Sequence, residues 1–288
     1  MYAQPQTGIA PEDCHFYHVM DLPGHGRVGG EWDLRGKVDE YLGQFDFRGR
    51  SVLEVGPASG FLTAEMEQRG AAVLALEMPP EAGWDYVPYP AETLAPIIQD
   101  RVGVMQRLRN SFWFTHATLR LRARLAYASA YDIPAALGQF DVAVLACVLL
   151  HCHSPLRIVE QCARRASTLI ITDMYNPALD GLRACQLMPS AENQNWHTWW
   201  HFSPDLFVEF LRVMGFRHFR QTTHTQQSAS GPLNLFTIVA SREEAVAATA
   251  APAATDVPGL AELQASVAQL QAQMAELGAL VRQALPPG

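Results

Sequence analysis

The stretch SVLEVGPASGFL, residues 51–62, joins a short apolar run to a turn of small residues, and it decides the fold. The apolar residues of the run stand next to one another, at 52 and 53, rather than at alternate positions only, as expected for a strand that is buried on both faces of a parallel sheet. A dinucleotide-binding fingerprint G-x-G-x-x-G would need glycine at 56, 58 and 61, and this chain has Gly56, Ala58 and Phe61 there. The stretch therefore predicts a nucleotide-type strand and turn without the glycine pattern of a dehydrogenase.

Further runs of strand length alternate with amphipathic helical patterns along the chain. The predicted strands are 51–56, 71–77, 141–148, 168–174 and 233–241, and the predicted helices are 60–70, 155–166 and 203–216. This β-α-β order predicts an α/β fold with a Rossmann-like, doubly wound sheet. The last helix begins with a Ser203 cap and Pro204, and the strand that follows it suits an antiparallel sheet edge.

Composition divides the chain into four segments. We expect an N-terminal lid or substrate segment at 1–50 and a binding domain at 51–241, with an arginine-rich insert at 79–127. Residues 242–258 are mostly Ala, Pro, Val and acid, which is typical of a linker. Residues 259–285 form the last segment.

Apolar residues at 3-4-3-4 spacing mark this last segment as a coiled-coil helix. They are Leu260, Leu263, Val267, Leu270, Met274, Leu277 and Val281. The pattern predicts a homo-oligomer without choosing between a dimer and a trimer. The alternative is an amphipathic helix that docks on its own domain.

The charge balance argues against nucleic acid as the main partner. The chain has a formal net charge of −8 and a pI near 5.7, whereas nucleic-acid-binding domains usually present a basic field. One acid-free segment between Asp100 and Asp132 is a candidate contact for a phosphate or carboxylate. It contains Arg101, Arg107, Arg109, Arg120, Arg122 and Arg124. The alternative is that these arginines lie on the solvated faces of two short helices.

Cysteine usage and hydropathy indicate the compartment. The five cysteines are odd in number and lack C-x-x-C spacing, which favours a reduced, cytoplasmic protein. The N-terminus does not look like a signal peptide, and the longest apolar run is half the length of a membrane span. We therefore expect a soluble chain without membrane partners.

The spacing acid-x-G-x-small-x-G, formed by Glu54, Gly56, Ala58 and Gly60, resembles the first motif of class I S-adenosylmethionine-dependent methyltransferases. The resemblance implies that S-adenosylmethionine is the cofactor, and that Pro57 and Phe61 belong to its loop. A loop of this kind needs close backbone approach and a helix N-terminus near a carboxylate rather than a diphosphate cradle. Glu77 closes the second strand 21 residues after Gly56, where an acid can accept both ribose hydroxyls.

A second region, SAYDIPAALGQFDVAVLACVLLHCHSP, 129–155, is similar to the same family. The resemblance implies that Ala130, Tyr131 and Asp132 lie over the adenine and that Cys147 lies beneath the cofactor. Met78, directly after Glu77, joins the predicted cofactor residues. The chain has Ser129 where the family usually has an acid for the adenine amino group, so that role passes to Asp132, a backbone carbonyl or water.

Residues 16–35, 110–116, 148–155 and 196–216 together resemble the group related to the tRNA wobble-uridine carboxymethyltransferase. The first hypothesis from this resemblance is O-methylation of a small molecule, a sugar or natural product. The second is transfer of a carboxymethyl group to tRNA from carboxy-S-adenosylmethionine, whose extra carboxylate would meet Arg35, Arg107 or Arg109. The third is a non-catalytic scaffold that works through the coiled coil.

Acceptor residues are predicted from their position and type. His151 ends the fourth strand, where a general base or an acceptor-orienting group would lie; the alternative is a structural histidine bonded to the following loop. The candidate substrate residues are Trp32, His153, Trp196, Trp199, His201 and Arg109, with Asp33, Tyr17 and His18 as further lid candidates. The sequence HCH at 151–153 lacks companions at metal-ligand spacing, so we expect no metal.

Overall fold

The computed structural model describes residues 2–243. The helices are α1 Val38–Tyr41, α2 Phe61–Gln68, α3 Ala91–Leu119, α4 Pro155–Ala163 and α5 Pro204–Val213. The strands are β1 Met20–Leu22, β2 Gly26–Val28, β3 Trp32–Asp33, β4 Ser51–Val55, β5 Ala72–Glu77, β6 Arg124–Tyr127, β7 Phe140–Ala146, β8 Ala166–Met174, β9 Cys185–Leu187, β10 Trp200–Phe202, β11 His218–Ser228 and β12 Gly231–Ser241. The coiled-coil prediction and nearly all of the linker prediction fall outside the described residues.

Eight strands form one sheet in the order β3-β11-β12-β8-β7-β4-β5-β6. The five strands from β8 to β6 are parallel. The chain leaves β4 towards β5 and β6 on one side and later returns to β7 and β8 on the other, so the strand order reverses beside β4. The predicted α/β fold and its mainly parallel sheet are confirmed.

Alternating burial along the central strands explains why helices cover both faces. Val52 packs with Met66 of α2 on one face, and Leu53 packs with Ile158 of α4 on the other. All four side chains are almost fully buried. Because successive side chains of a strand point to opposite faces, a continuous apolar run needs a cover on each side.

The end of the sheet corrects one prediction. β12 is antiparallel, as expected, but it lies between β8 and β11 rather than at the edge. The reason is β11, a strand that the apolar pattern does not predict because HFRQTTHTQQS is mostly polar. It forms a hairpin with β12 across Ala229 and Ser230, and its own outer neighbour is the short strand β3.

The predicted arginine-rich insert is the crossover between β5 and β6. It consists of an irregular stretch, 78–90, and the 29-residue helix α3, which replaces the two short helices of the sequence-based alternative. Pro96 and Gly103 disfavour an uninterrupted helix. Burial of Phe112 and Trp113 against the sheet anchors its C-terminal half. No helix within residues 2–243 is long and apolar enough to cross a membrane.

Candidate functional site

A cavity of about 490 Å³ opens at the carboxyl ends of the parallel strands. The residues that follow four strands line it, namely 56–58 after β4, 78–79 after β5, 128–131 after β6 and 147–148 after β7. In open α/β sheets ligands bind in this position, where the strand order reverses. The cavity is therefore the candidate site.

Backbone conformation shapes the loop after β4. Gly56, Ala58 and Gly60 all have positive φ, at 72°, 48° and 82°. A Cβ on Gly56 would lie 2.9 Å from Cγ2 of Val148, so this position has no room for a side chain. Gly60 is the N-cap of α2. The pattern glycine-x-small-x-glycine thus describes a loop that reverses twice and brings Gly56, Pro57 and Ala58 to the cavity wall.

Two acids near this loop have different environments. Glu54 is almost fully buried and does not line the cavity, and its Oε2 accepts a hydrogen bond of 2.5 Å from Oγ1 of Thr63. Its Oε1 has no partner, and burial raises the pKa of Glu54 to about 7. Glu77 does line the cavity. Its Oε1 accepts from the N–H of Met78 at 2.8 Å, and burial raises its pKa, although the neighbouring charge of Arg109 opposes this.

The loop after β6 contributes Ser129, Ala130 and Tyr131 to the cavity. The hydroxyl of Tyr131 donates a hydrogen bond to the carboxylate of Asp85. The same carboxylate accepts a hydrogen bond of 3.0 Å from the backbone N–H of His153. These bonds fasten the stretch 78–90 over the cavity. The predicted adenine residue Asp132 has an exposed side chain and is not brought to the wall.

His151 lies on the cavity wall in a short 3₁₀ turn after β7. Its Nδ1 is 2.7 Å from the backbone oxygen of His197. A carbonyl oxygen only accepts, so Nδ1 carries the proton in the neutral ring and Nε2 keeps a free electron pair. Burial lowers the pKa of His151 to about 4, and the charge of Arg101 acts in the same direction. The imidazole is therefore neutral near pH 7.

The N-terminal segment covers the loop after β4. The backbone N–H groups of Tyr17 and His18 point to Oγ of Ser59 at 3.3 and 3.4 Å, and both residues line the cavity. His18 stacks on Phe61, with 5.3 Å between the ring centroids. Burial lowers the pKa of His18 to about 3. Trp32 lies behind Tyr17 and donates to its hydroxyl at 3.2 Å, so it supports the wall without lining it.

Several predicted substrate residues are not brought to the cavity. Trp199 donates its Nε1–H to the backbone oxygen of Asp85 at 2.7 Å, and the ring of His153 packs against Trp199. His201 belongs to the hairpin of β9 and β10. These three residues support the surrounding loops, and of the six predicted substrate residues Trp196 is the one that lines the cavity.

The arginines predicted for a cofactor carboxylate are also placed elsewhere. Arg35 forms ion pairs of 2.6 Å with Asp21 and Asp33. Arg107 is exposed, and Arg109 is close enough to influence Glu77 but does not line the cavity. The arginine that does line it is Arg101.

Other wall residues were missed by sequence reasoning. Tyr41, Trp84, Asp85 and His197 line the cavity. They come from three separate stretches of chain and carry no common spacing, so only the fold brings them together. They lie on the same wall as Arg101, which the sequence names only as one of six candidate arginines. A tryptophan and an acid in the irregular stretch 78–90 were the one available signal.

Metal-ligand geometry does not occur in the part of the chain that the structure describes, where no three His, Cys, Asp or Glu side chains cluster. In the sequence HCH, Nδ1 of His151 is bound to the backbone of His197 and Nδ1 of His153 lies 2.9 Å from Oγ of Ser154. All five cysteines are free thiols.

No known protein-family model matches this chain, and no functionally curated protein matches it. Its structure is similar to the N-terminal domain of EvdMO1 crystallised with S-adenosylhomocysteine and D-fucose, at 17% identity over 80% of this chain and 92% of that one, with a TM-score of 0.48. It is also similar to the glycopeptide N-methyltransferase MtfA with S-adenosylhomocysteine, at 16% identity, 67% and 83% coverage and a TM-score of 0.47. A third similar structure is the 1,6-didemethyltoxoflavin-N1-methyltransferase of Burkholderia thailandensis, at 18% identity, 68% and 72% coverage and a TM-score of 0.43. At these identities and TM-scores the similarities assign no family to the chain, and its function has to be inferred from its own residues.

Proposed function

We propose that this chain is an S-adenosylmethionine-dependent methyltransferase that acts on a hydroxyl group of a small molecule. The observation that carries the proposal is the cavity itself. It joins the loop of Gly56, the carboxylate of Glu77 and the loop 128–131 to a neutral histidine, His151. The first three features suit a nucleoside with an amino-acid tail, and the fourth suits a proton acceptor.

The wall residues fit this cofactor. Glu77 is half-buried on the cavity wall and offers a carboxylate oxygen to the ribose hydroxyls, and hydrogen bonds to a charged acceptor are the stronger kind. The loop that precedes α2 has no side chain at Gly56 or Gly60 and leads into a helix N-terminus, which favours a carboxylate. Met78 and Ala130 offer apolar contacts for a base. When bound, S-adenosylmethionine supplies an electrophilic methyl group on a positively charged sulfur.

His151 is suited to move the proton of the acceptor. Its Nδ1–H is held by the carbonyl of His197, which fixes the orientation of the ring and leaves Nε2 free to accept a proton from a hydroxyl. The lowered pKa keeps this nitrogen unprotonated near pH 7. Because the ring is a weak base, it assists a hydroxyl whose proton leaves as the new bond forms and then passes the proton to water.

The covered cavity favours a small acceptor. The N-terminal segment lies over it through Tyr17 and His18, and the stretch 78–90 closes another side through Tyr131 and Asp85. The tRNA hypothesis is disfavoured by the net charge of −8 and by the ion pairs that occupy Arg35. The scaffold hypothesis leaves the cavity and its neutral histidine without a role.

Calorimetric titration with S-adenosylhomocysteine, with native mass spectrometry for stoichiometry, tests the proposal. We expect one equivalent per chain. The variant Gly60→Arg is the negative control, since even a Cβ at this position lies 3.3 Å from Cδ2 of Phe112. Protein with S-adenosylmethionine is then incubated with phenols, hydroxy acids and sugars, and each mixture is analysed for a methylated product. Absence of S-adenosylhomocysteine binding by folded protein would overturn the proposal.

A further inference from the structure

Arg101 is the one cationic side chain, lysine or arginine, among the described residues that line the cavity. It projects from α3, and its guanidinium carbon lies 5.5 Å from the ring centroid of Trp84 and 5.3 Å from that of Trp196. These two tryptophans come from the stretch 78–90 and from the stretch before β10. Three separate segments therefore converge on this charge.

The guanidinium of Arg101 has no anionic partner among residues 2–243. Its Nε is buried and makes no hydrogen bond, and no carboxylate lies within ion-pair distance. The acids that line the cavity are engaged elsewhere: Glu31 with His15 at 3.7 Å, Asp85 with Tyr131, and Glu77 with the N–H of Met78. Arg35, by contrast, has two carboxylates at 2.6 Å. Arg101 as a whole is half-buried, and a partly desolvated cation without a partner is stabilised when a ligand supplies the opposite charge.

The geometry of the site also indicates which anion it takes. Indole rings attract a cation to their faces, and two of them flank Arg101. Within residues 2–243 no group accepts a hydrogen bond from the guanidinium of Arg101, so its N–H groups are available to a ligand beside the two rings. A planar fork of donors matches a carboxylate through two parallel hydrogen bonds. The indole walls favour an apolar or aromatic body attached to that carboxylate.

Arg101 lies at the same end of the cavity as the histidines. Trp84, which flanks Arg101, lies 5.4 Å from the ring centroid of His151, and Trp196, which also flanks it, lies 4.6 Å from that of His197. The proposed cofactor residues Glu77, at the end of β5, and Ala130, in the loop after β6, belong to strands on the other side of β4 from β7, which His151 follows. A carboxylate bound at Arg101 would therefore accompany a hydroxyl at His151.

We propose that Arg101 binds a carboxylate of the acceptor, so that the substrate class is a small hydroxy acid with an apolar or aromatic body. This inference rests on the methyltransferase function proposed above. Arg101 is then a specificity residue that selects a carboxylate-bearing acceptor over neutral sugars and phenols.

The test uses the full chain saturated with S-adenosylhomocysteine. The three hydroxybenzoate isomers and the corresponding neutral hydroxybenzamides are titrated while tryptophan emission is recorded, because Trp84 and Trp196 flank the charge. We expect at least one hydroxybenzoate to bind about tenfold or more tightly than its amide, as a hydrogen bond to a charged group implies. Arg101→Gln should abolish that preference, and Arg101→Lys should retain only part of it. Arg217→Gln, an exposed site with the same charge change, should behave as wild type.

Binding of S-adenosylhomocysteine separates the possible failures. If the wild-type protein does not bind it, the proposed function fails. If the protein binds it but no hydroxybenzoate is preferred over its amide, or if Arg101→Gln keeps the preference, the carboxylate inference fails alone. The inference is also overturned if Arg101→Gln weakens S-adenosylhomocysteine itself, since Arg101 would then hold the tail of the cofactor. If Arg101→Gln loses affinity for carboxy-S-adenosylmethionine but not for S-adenosylhomocysteine, Arg101 binds the carboxylate of a modified cofactor and the inference is overturned.

Discussion

Replacement of Glu77 by glutamine tests the cofactor site most directly. The side chain closes β5 and lines the cavity, and one of its oxygens accepts from the N–H of Met78 at 2.8 Å. Glutamine has nearly the same shape, so it fills the same space and can keep that contact through its carbonyl oxygen. The substitution removes the negative charge and turns one acceptor into a donor.

The magnitude follows from the bonds that are lost. In the proposed function the remaining carboxylate oxygen of Glu77 accepts from ribose hydroxyls, and a hydrogen bond to a charged group contributes about 1.5–3 kcal/mol. The corresponding loss of affinity for S-adenosylhomocysteine is about 10-fold to 150-fold. Glu77→Ala, which also removes packing and the bond to Met78, should weaken binding by at least about tenfold.

Isothermal titration of S-adenosylhomocysteine into the wild type and Glu77→Gln measures this difference. Glu54→Gln is the matched control because Glu54 is an acid of the same region that does not line the cavity. We expect its affinity to stay within about threefold of wild type, since no direct hydrogen bond to the ligand is lost. Equal affinities for wild type and Glu77→Gln would show that Glu77 does not bind the ribose. A large loss of affinity in Glu54→Gln alone would show that Glu54 has this role instead.

Three more substitutions test the site and its support. The pKa of Glu54 is raised from 4.5 to about 7, so its contribution to the free energy of unfolding is fully present below pH 4.5 and is lost as the pH rises through 7. Glu54→Gln should therefore raise the urea midpoint of unfolding at pH 8 and change it little at pH 4. A lower midpoint than that of the wild type at pH 8 would contradict this. His151→Asn keeps a donor for the carbonyl of His197 and should unfold at nearly the wild-type temperature, whereas His151→Ala should lose about 1 kcal/mol of the free energy of unfolding. Once an acceptor is identified, both variants should lose about 100-fold or more in kcat. Full activity of the Asn variant would show that His151 has only a structural role. A Cβ at Gly30 would lie 2.3 Å from the carbonyl carbon of His18, so Gly30→Ala should speed amide hydrogen exchange over residues 15–35 and weaken S-adenosylhomocysteine, and unchanged exchange would show that this segment adapts.

The sequence was sufficient for the parts of the fold in which local pattern and burial agree. Val52 and Leu53 are neighbours in β4 that point to opposite faces of the sheet, and both are fully buried, so their adjacency in the sequence is a sign of a strand covered on both faces. Ser203 and Pro204 predict the start of α5 because the cap is local; Oγ of Ser203 accepts from the N–H of Asp205 at 3.1 Å. Such features depend on neighbours in the chain and not on distant residues.

Features that depend on tertiary contacts were not predictable in the same way. β11 is mostly polar, and its place in the sheet comes from pairing with β12 and from contacts such as the bond from Nε2 of Gln226 to the backbone oxygen of Lys37, at 3.1 Å. Among six arginines in one segment, nothing in the sequence distinguishes Arg101 from Arg109. The direction of α3 decides that the former lines the cavity and the latter does not.

The two ends of the cavity depend on the fold in different ways. The proposed cofactor end is built from strand ends and one tight loop, whose conformation follows from Gly56 and Gly60. The proposed acceptor end is built from Trp84, Trp196 and Arg101, which belong to three segments. Arg101 meets the other two segments through its side chain, and within residues 2–243 a single backbone bond, from the N–H of Val87 to the oxygen of Trp196 at 3.0 Å, joins those two directly near the tryptophans. Substitutions in those segments change the shape of the acceptor end without disturbing the sheet. We therefore expect cofactor binding to tolerate changes at the acceptor end, while specificity for the acceptor does not.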